Sequence, residues 1–175
     1  PVKEKLPDPV QFIHAEPWQW EVLAKAFLTD PVLNFWVGEK TNLKVLEEFF
    51  EAVVKDALTS GGTLFSTPDQ KAVLVWTWLG STLEAPNEWR ERWYEILDPE
   101  GVKRYYGLYE AGDVAIDPSR RKKCMLPDYM AVLPEAQGRG YGSHLLKWTM
   151  NYFDERGLDS PFILASTPRS AKLYW

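Results

Sequence analysis

The 175-residue sequence predicts a single mixed α/β domain. Amphipathic helical patterns alternate with short apolar strands along the chain. Hydrophobic residues make up 45% of the sequence and charged residues 26%, so a chain of this length can bury a core. The stretch 71–79 is apolar at nearly every position, which indicates a central strand covered on both faces.

The first third of the sequence predicts a short strand and two helices. The strand, over 10–13, is followed by an amphipathic helix over 17–28, which Pro31 ends or kinks. An aromatic-rich connector over 32–37 leads to the clearest helix, over 42–58, whose apolar residues form one stripe.

The middle of the sequence predicts a hairpin and two further helices. Strands over 63–66 and 71–79 pair around a Pro-Asp-Gln turn. The side chain of Asn87 is suited to cap one helix, and a second short helix carries Tyr105 and Tyr106.

The last third predicts strands alternating with helices. A basic loop over 117–123 precedes a strand over 126–132 and a helix over 140–156. A strand over 161–165 and a helix from residue 170 follow, and the sequence ends within that helix.

Composition excludes several classes of function. A net charge of −5 argues against a nucleic-acid-binding protein held by phosphate contacts. The single cysteine, Cys124, and the two histidines do not favour a disulfide or a metal site, so we expect no metal. The apolar runs are too short to span a membrane, and no signal-peptide pattern opens the sequence. We therefore expect a cytoplasmic protein.

The most informative segment is a glycine loop between the strand ending at Val132 and the helix that follows. Gly138, Gly140 and Gly142 stand at alternate positions, where glycine permits positive φ and close approach of a ligand. The unpaired N–H groups of a helix start favour an anion. The pattern matches neither a Walker loop nor a dinucleotide-binding fold. The sequence thus predicts a phosphate cradle, with a turn that binds nothing as the alternative.

The segment from Val132 to Gly142 resembles the acyl-CoA-binding signature, Q/R-x-x-G-x-G/A, of the GCN5-related N-acetyltransferase (GNAT) superfamily. The Ala-Phe-x-x-Asp-Pro segment ending at Pro31, the apolar strand ending at Trp78 and the late Leu173-Tyr174 pair resemble the branch that includes puromycin acetyltransferase and fungal relatives. The resemblance implies a mixed, mostly antiparallel sheet with helices on both faces, carrying an insertion at about 84–123.

The resemblance also implies which residues bind acetyl-CoA. The backbone of the strand through Met130 and Val132 would splay from its neighbour and pair with the pantetheine arm. The loop would hold the pyrophosphate through its backbone N–H groups and the Ser143 hydroxyl. The expected loop residues are Gln137, Gly138, Arg139, Gly140, Tyr141, Gly142 and Ser143.

Two side chains are expected to move protons. Tyr174 falls on the tyrosine that such enzymes commonly use to protonate the departing CoA thiolate, and a core aromatic is the alternative. The position some members use for a base is Leu126 here, so Asp128 is the candidate base if no bulge intervenes. The alternative for Asp128 is a solvated acid at a loop edge.

The acceptor site is expected to be walled by aromatic residues of the connector and the insertion. These are Phe35, Trp36, Trp89 and Trp93, and such walls suit a flat, apolar or cationic ligand. For each of them, covering the sheet is an equally good interpretation.

The sequence therefore predicts an acyl-CoA-dependent, most simply acetyl-CoA-dependent, N-acyltransferase acting by direct transfer on a small-molecule amine. The alternative is a GNAT-like protein with lost or altered transfer, which binds a ligand or catalyses another biosynthetic step. The loss of a family Glu before Ala165 motivates that alternative. The superfamily usually adds two strands after the Leu173-Tyr174 helix, so we expect a fragment, or a homodimer in which a second copy supplies them.

Overall fold

The computed structural model describes residues 6–79, 87–113 and 118–159, without the side chains of 108–113, 118, 120 and 121. The described chain forms a four-stranded antiparallel sheet in the order β1-β2-β3-β4 with helices on both faces, which confirms the predicted α/β fold. The strands are β1 (Val10–Phe12), β2 (Thr63–Ser66), β3 (Ala72–Trp78) and β4 (Met125–Val132). The helices are α1 (Pro17–Phe27), α2 (Pro31–Val37), α3 (Leu43–Thr59), α4 (Glu88–Asp113) and α5 (Tyr141–Asp154).

Strand β3 lies between β2 and β4, as its continuous apolar sequence predicts. Val73 and Val75 face a core shared with α1, α2, α3 and α4. Leu74 and Trp76 face a second core shared with α5. The two cores bury opposite faces of the same strand, which is why β3 carries no polar alternation.

The prediction of a connector over 32–37 is wrong, because the chain forms the short helix α2 there. The Oδ1 atom of Asp30 accepts hydrogen bonds from the backbone N–H groups of Val32 at 2.9 Å and Leu33 at 3.0 Å. Pro31 stands at the first helical position, where its fixed φ suits a helix and its missing N–H costs nothing. The basic loop at 117–123 likewise forms a 3-10 helix, Pro118–Lys123.

Helix α4 carries most of the predicted insertion and is broken at Asp98, where φ is 65°. The Oδ1 atom of Asp98 accepts hydrogen bonds from the N–H groups of Glu100 and Gly101, both at 3.0 Å, and so begins the second half. The Oδ1 atom of Asn87 caps the first half by accepting from the N–H of Trp89 at 3.1 Å. The two helices predicted for this region and the Asn87 cap are confirmed.

A buried carboxylate joins α4 to α3. Asp56 accepts two hydrogen bonds from the Arg90 guanidinium, each at 3.1 Å, one from the Trp93 indole at 2.9 Å and one from the Asn87 amide at 2.7 Å. Burial raises the pKa of Asp56, but these hydrogen bonds and the Arg90 charge outweigh burial and lower the pKa below its usual value. The pair fixes how α4 packs against α3.

The remaining predicted elements, the strand at 161–165 and the helix from 170, lie outside the described residues. None of the described helices is long and apolar enough to cross a membrane.

Replacing Asp56 with Ala is expected to lower the free energy of unfolding by about 3–5 kcal/mol, because it leaves the buried Arg90 charge unpaired. Urea denaturation measures the change. The control is Glu48→Ala, which removes an exposed ion pair with Arg92 between the same two helices and should cost about 0–1 kcal/mol. Equal losses for the two variants would contradict the structural role of Asp56.

Because the folded pKa of Asp56 is lowered, the stabilisation that Asp56 contributes is present above its unfolded pKa and is lost as pH falls through its folded pKa.

Candidate functional site

The glycine loop leaves β4 at Val132 and enters α5 at Tyr141. A 3-10 turn, Pro134–Ala136, begins the loop, and the Gln137 side-chain amide donates to the Val132 carbonyl at 3.0 Å. Gly138 and Gly140 have φ values of 78° and 89°, which a residue with a side chain rarely adopts. A Cβ atom built on either glycine would meet nothing within 4 Å, so open space lies against the backbone.

The start of α5 turns unsatisfied donors toward that loop. The first hydrogen bond of the helix runs from the N–H of His144 to the Gly140 carbonyl at 2.9 Å. The N–H groups of Tyr141, Gly142 and Ser143 precede that bond and are oriented by the positive end of the helix dipole. The Arg139 and Ser143 side chains are exposed. The open space beside Gly138 and Gly140 and the N–H groups at the start of α5 together suit the binding of a pyrophosphate.

The Tyr141 side chain does not extend into the open loop. Its ring is 8% exposed within the second core, and its hydroxyl donates to the Oδ2 atom of Asp69 at 2.7 Å. Tyr141 was predicted among the cofactor-binding residues, and within the described structure only its backbone lies along the loop. Asp69 reads in sequence as a turn residue alone, and nothing in the spacing links it to position 141.

Strand β4 carries the other predicted CoA contacts. Met130 and Val132 pair with Leu74 and Ala72, and their side chains pack against the second core. At the opposite end of β4, the chain after α5 runs parallel to it: the N–H of Asp159 donates to the Lys123 carbonyl at 2.7 Å. A parallel bridge therefore lies beside this end of β4 at Asp159, and the strand predicted over 161–165 lies outside the described residues.

Asp128 is the extra residue of a β-bulge. Val75 pairs with Tyr129 and Trp76 pairs with Pro127, so Asp128 has no register partner on β3. The Thr77 hydroxyl donates to Asp128 at 3.0 Å. Because Thr77 pairs with Leu126, the carboxylate lies on the face of Leu126 despite the bulge. The side chain is half-buried.

The four aromatic residues expected at the acceptor site divide into two pairs. Trp36 and Trp93 are buried in the first core and both contact Tyr105, with ring centroids 5.0 Å and 4.9 Å away. Phe35 is 60% exposed, and Trp89 lines a surface groove between α3 and α4. The structure does not bring these four side chains to one surface.

That groove has a volume of about 260 Å³ and an acidic rim. Its acidic members are Glu48, Glu51 and Glu88. Glu48 pairs with Arg92, and Glu51 pairs with Lys55, whose ammonium lies 4.2 Å from the Trp89 ring centroid. Two of its three carboxylates are therefore already paired with cations.

Tyr174 lies outside the described residues, so its predicted role stays a prediction. Among the residues that are described, no three His, Cys, Asp or Glu side chains cluster in a way that could hold a metal ion.

Comparison with known proteins identifies the architecture. A model of the acetyltransferase (GNAT) family matches residues 72–174. A solved structure from Corynebacterium glutamicum, described as histone acetyltransferase HPA2 and related acetyltransferase, is 20% identical. The match covers 96% of this chain and 82% of that one, with a TM-score of 0.61. At this identity the likeness shows the fold alone. No curated protein matches the chain.

Proposed function

The chain belongs to the acetyltransferase (GNAT) family, whose members in general depend on acetyl-CoA, and from that premise we propose that it transfers an acetyl group to the amine of a small-molecule acceptor. The observation that carries the proposal is the glycine loop. Gly138 and Gly140 adopt positive φ beside open space, immediately before the N-terminus of α5. A loop that only reversed the chain would not require this combination.

The residues that would hold acetyl-CoA lie along one path from β4 to α5. The β4 backbone at Met130 and Val132 would pair with the pantetheine amides. The N–H groups from Gly138 to Ser143 would donate to the pyrophosphate oxygens, with Arg139 supplying a cation. Gln137 would fix the loop by holding the Val132 carbonyl rather than by touching the ligand.

When bound, acetyl-CoA supplies the acetyl group as a thioester. Asp128 would accept the proton of the attacking amine, and Thr77 would orient its carboxylate. Tyr174 would donate a proton to the thiolate sulfur that leaves. The amine nitrogen forms the new C–N bond as the C–S bond breaks, and the enzyme carries no acyl group. Positioning of the two reactants would supply most of the rate.

The acceptor remains a small molecule in this proposal. Phe35 is the exposed aromatic surface of α2, with the Arg104 guanidinium carbon 5.5 Å from its ring centroid. Trp36 and Trp93 are buried, and both contact Tyr105, so they would support the packing of α2 and α4 rather than touch the acceptor. An exposed aromatic ring of this kind suits a flat, apolar or cationic acceptor.

Replacing Gly140 with Ala should abolish the rise in thermal midpoint that millimolar CoA produces in the wild type. The added Cβ would enter the space against the loop, and the positive φ would be strained. The matched control is Gly157→Ala, because Gly157 also has a positive φ, 68°, and an open Cβ position, but lies beyond the other end of α5. Both variants should lose similar stability. CoA binding lost equally in both, or in neither, would contradict the cradle.

Replacing Asp128 with Asn should slow thiol release from acetyl-CoA with a panel of amines by about 10²-fold at neutral pH. The deficit should shrink as the pH approaches the pKa of the amine, because the acceptor then loses its proton to solvent. Tyr174→Phe should slow the same reaction by a similar factor. Asp154→Asn, an exposed acid on α5, is the control and should leave the rate unchanged. CoA binding without thiol release in the wild type would favour the ligand-binding alternative instead.

A further inference from the structure

The turn between β2 and β3 is built around one carboxylate. The Oδ1 atom of Asp69 accepts hydrogen bonds from the Thr67 hydroxyl at 2.8 Å and from the Lys71 N–H at 3.3 Å. Within the turn, Gln70 has a φ of 59° and its N–H donates to the Thr67 carbonyl at 2.9 Å. These bonds fix the conformation of the turn from inside.

The same turn contacts the glycine loop at both of its ends. Before the loop, the N–H of Leu133 donates to the Lys71 carbonyl at 2.8 Å. After the loop, the Tyr141 hydroxyl donates to the Oδ2 atom of Asp69 at 2.7 Å. The two contacts bracket residues 134–140, although Asp69 and Tyr141 stand 72 positions apart in sequence.

The glycine segment of the loop needs such external contacts, because glycine constrains the backbone weakly. Gly138 and Gly140 have more backbone freedom than any other residue type, and nothing within 4 Å would contact a side chain there. A hydrogen bond to a carboxylate is stronger than one between neutral groups. Burial raises the pKa of Asp69, but the bonds from Tyr141, Thr67 and Lys71 outweigh it and lower the pKa, so the acceptor is ionised at neutral pH.

We propose that the turn at 67–71 positions the glycine loop for the CoA pyrophosphate, with Asp69 and Tyr141 as positioning residues. The inference rests on the proposed function for its ligand but not for the loop ordering itself. Fixing the loop before binding removes an entropy cost that binding would otherwise meet. The loss of the bond therefore weakens CoA binding while the fold persists.

The test compares Tyr141→Phe and Asp69→Asn with Tyr152→Phe. Tyr152 lies further along α5 and its hydroxyl donates to the Gln11 side chain at 2.9 Å, so the control removes a tyrosine hydroxyl bond away from the loop. Calorimetric titration with CoA should show a dissociation constant raised about tenfold in both test variants and unchanged in the control. The losses of the two single variants should add incompletely in the double variant, because Asp69 and Tyr141 share one hydrogen bond.

Hydrogen exchange at the bonded amides of Ala136 and His144, which donate to the carbonyls of Leu133 and Gly140, provides a readout that needs no ligand. Exchange should quicken in Tyr141→Phe and Asp69→Asn and stay at the wild-type rate in Tyr152→Phe, with circular dichroism unchanged throughout. Wild-type CoA affinity in both test variants, or unchanged exchange at these amides, would overturn the positioning role. If the wild type itself binds no CoA, the proposed function fails, and exchange alone then decides whether the turn orders the loop.

Discussion

The pairing of β3 with β4 is the constraint on which the rest of the structure depends. Strand β3 is buried on both faces, and β4 pairs with it along its length, so β4 must also place apolar side chains on both faces of the sheet. The bulge at Asp128 takes up one residue and leaves Tyr129 and Ala131 in one core and Met130 and Val132 in the other. Strand β4 therefore ends at Val132, where the glycine loop begins. The register of β4 thus sets the position of the proposed anion cradle.

The two faces of the sheet serve different purposes. Helix α5 covers one face and begins at the loop, so packing of the second core sets the direction of its N–H groups. Helices α1 to α4 cover the other face, where the Asp56–Arg90 pair fixes α4 against α3. Removing one partner of a buried ion pair is strongly destabilising, because the other charge is left buried and unpaired. The side on which an acceptor is proposed to bind is thereby held apart from the loop.

The sequence predicted the features that depend on residues close together in the chain. The double burial of β3 follows from its continuous apolar run, and the positive φ values of Gly138 and Gly140 are ones that glycine permits. Helix α2 was missed because its seven residues depend on the Asp30 cap rather than on periodicity. The Asp69–Tyr141 bond joins distant positions and leaves no local signal. Likewise, aromatic content could not separate the buried Trp36 from the exposed Phe35.

The most direct measurement is a pair of ¹H–¹⁵N correlation spectra of the protein with and without CoA. Saturating CoA should shift the amide signals of Gly138, Gly140 and 141–143, since these N–H groups are the proposed pyrophosphate donors. Signals from the groove between α3 and α4, such as Glu48 and Trp89, should stay in place. Unmoved loop signals at saturating CoA, or shifts confined to that groove, would contradict the assignment of the glycine loop as the CoA site.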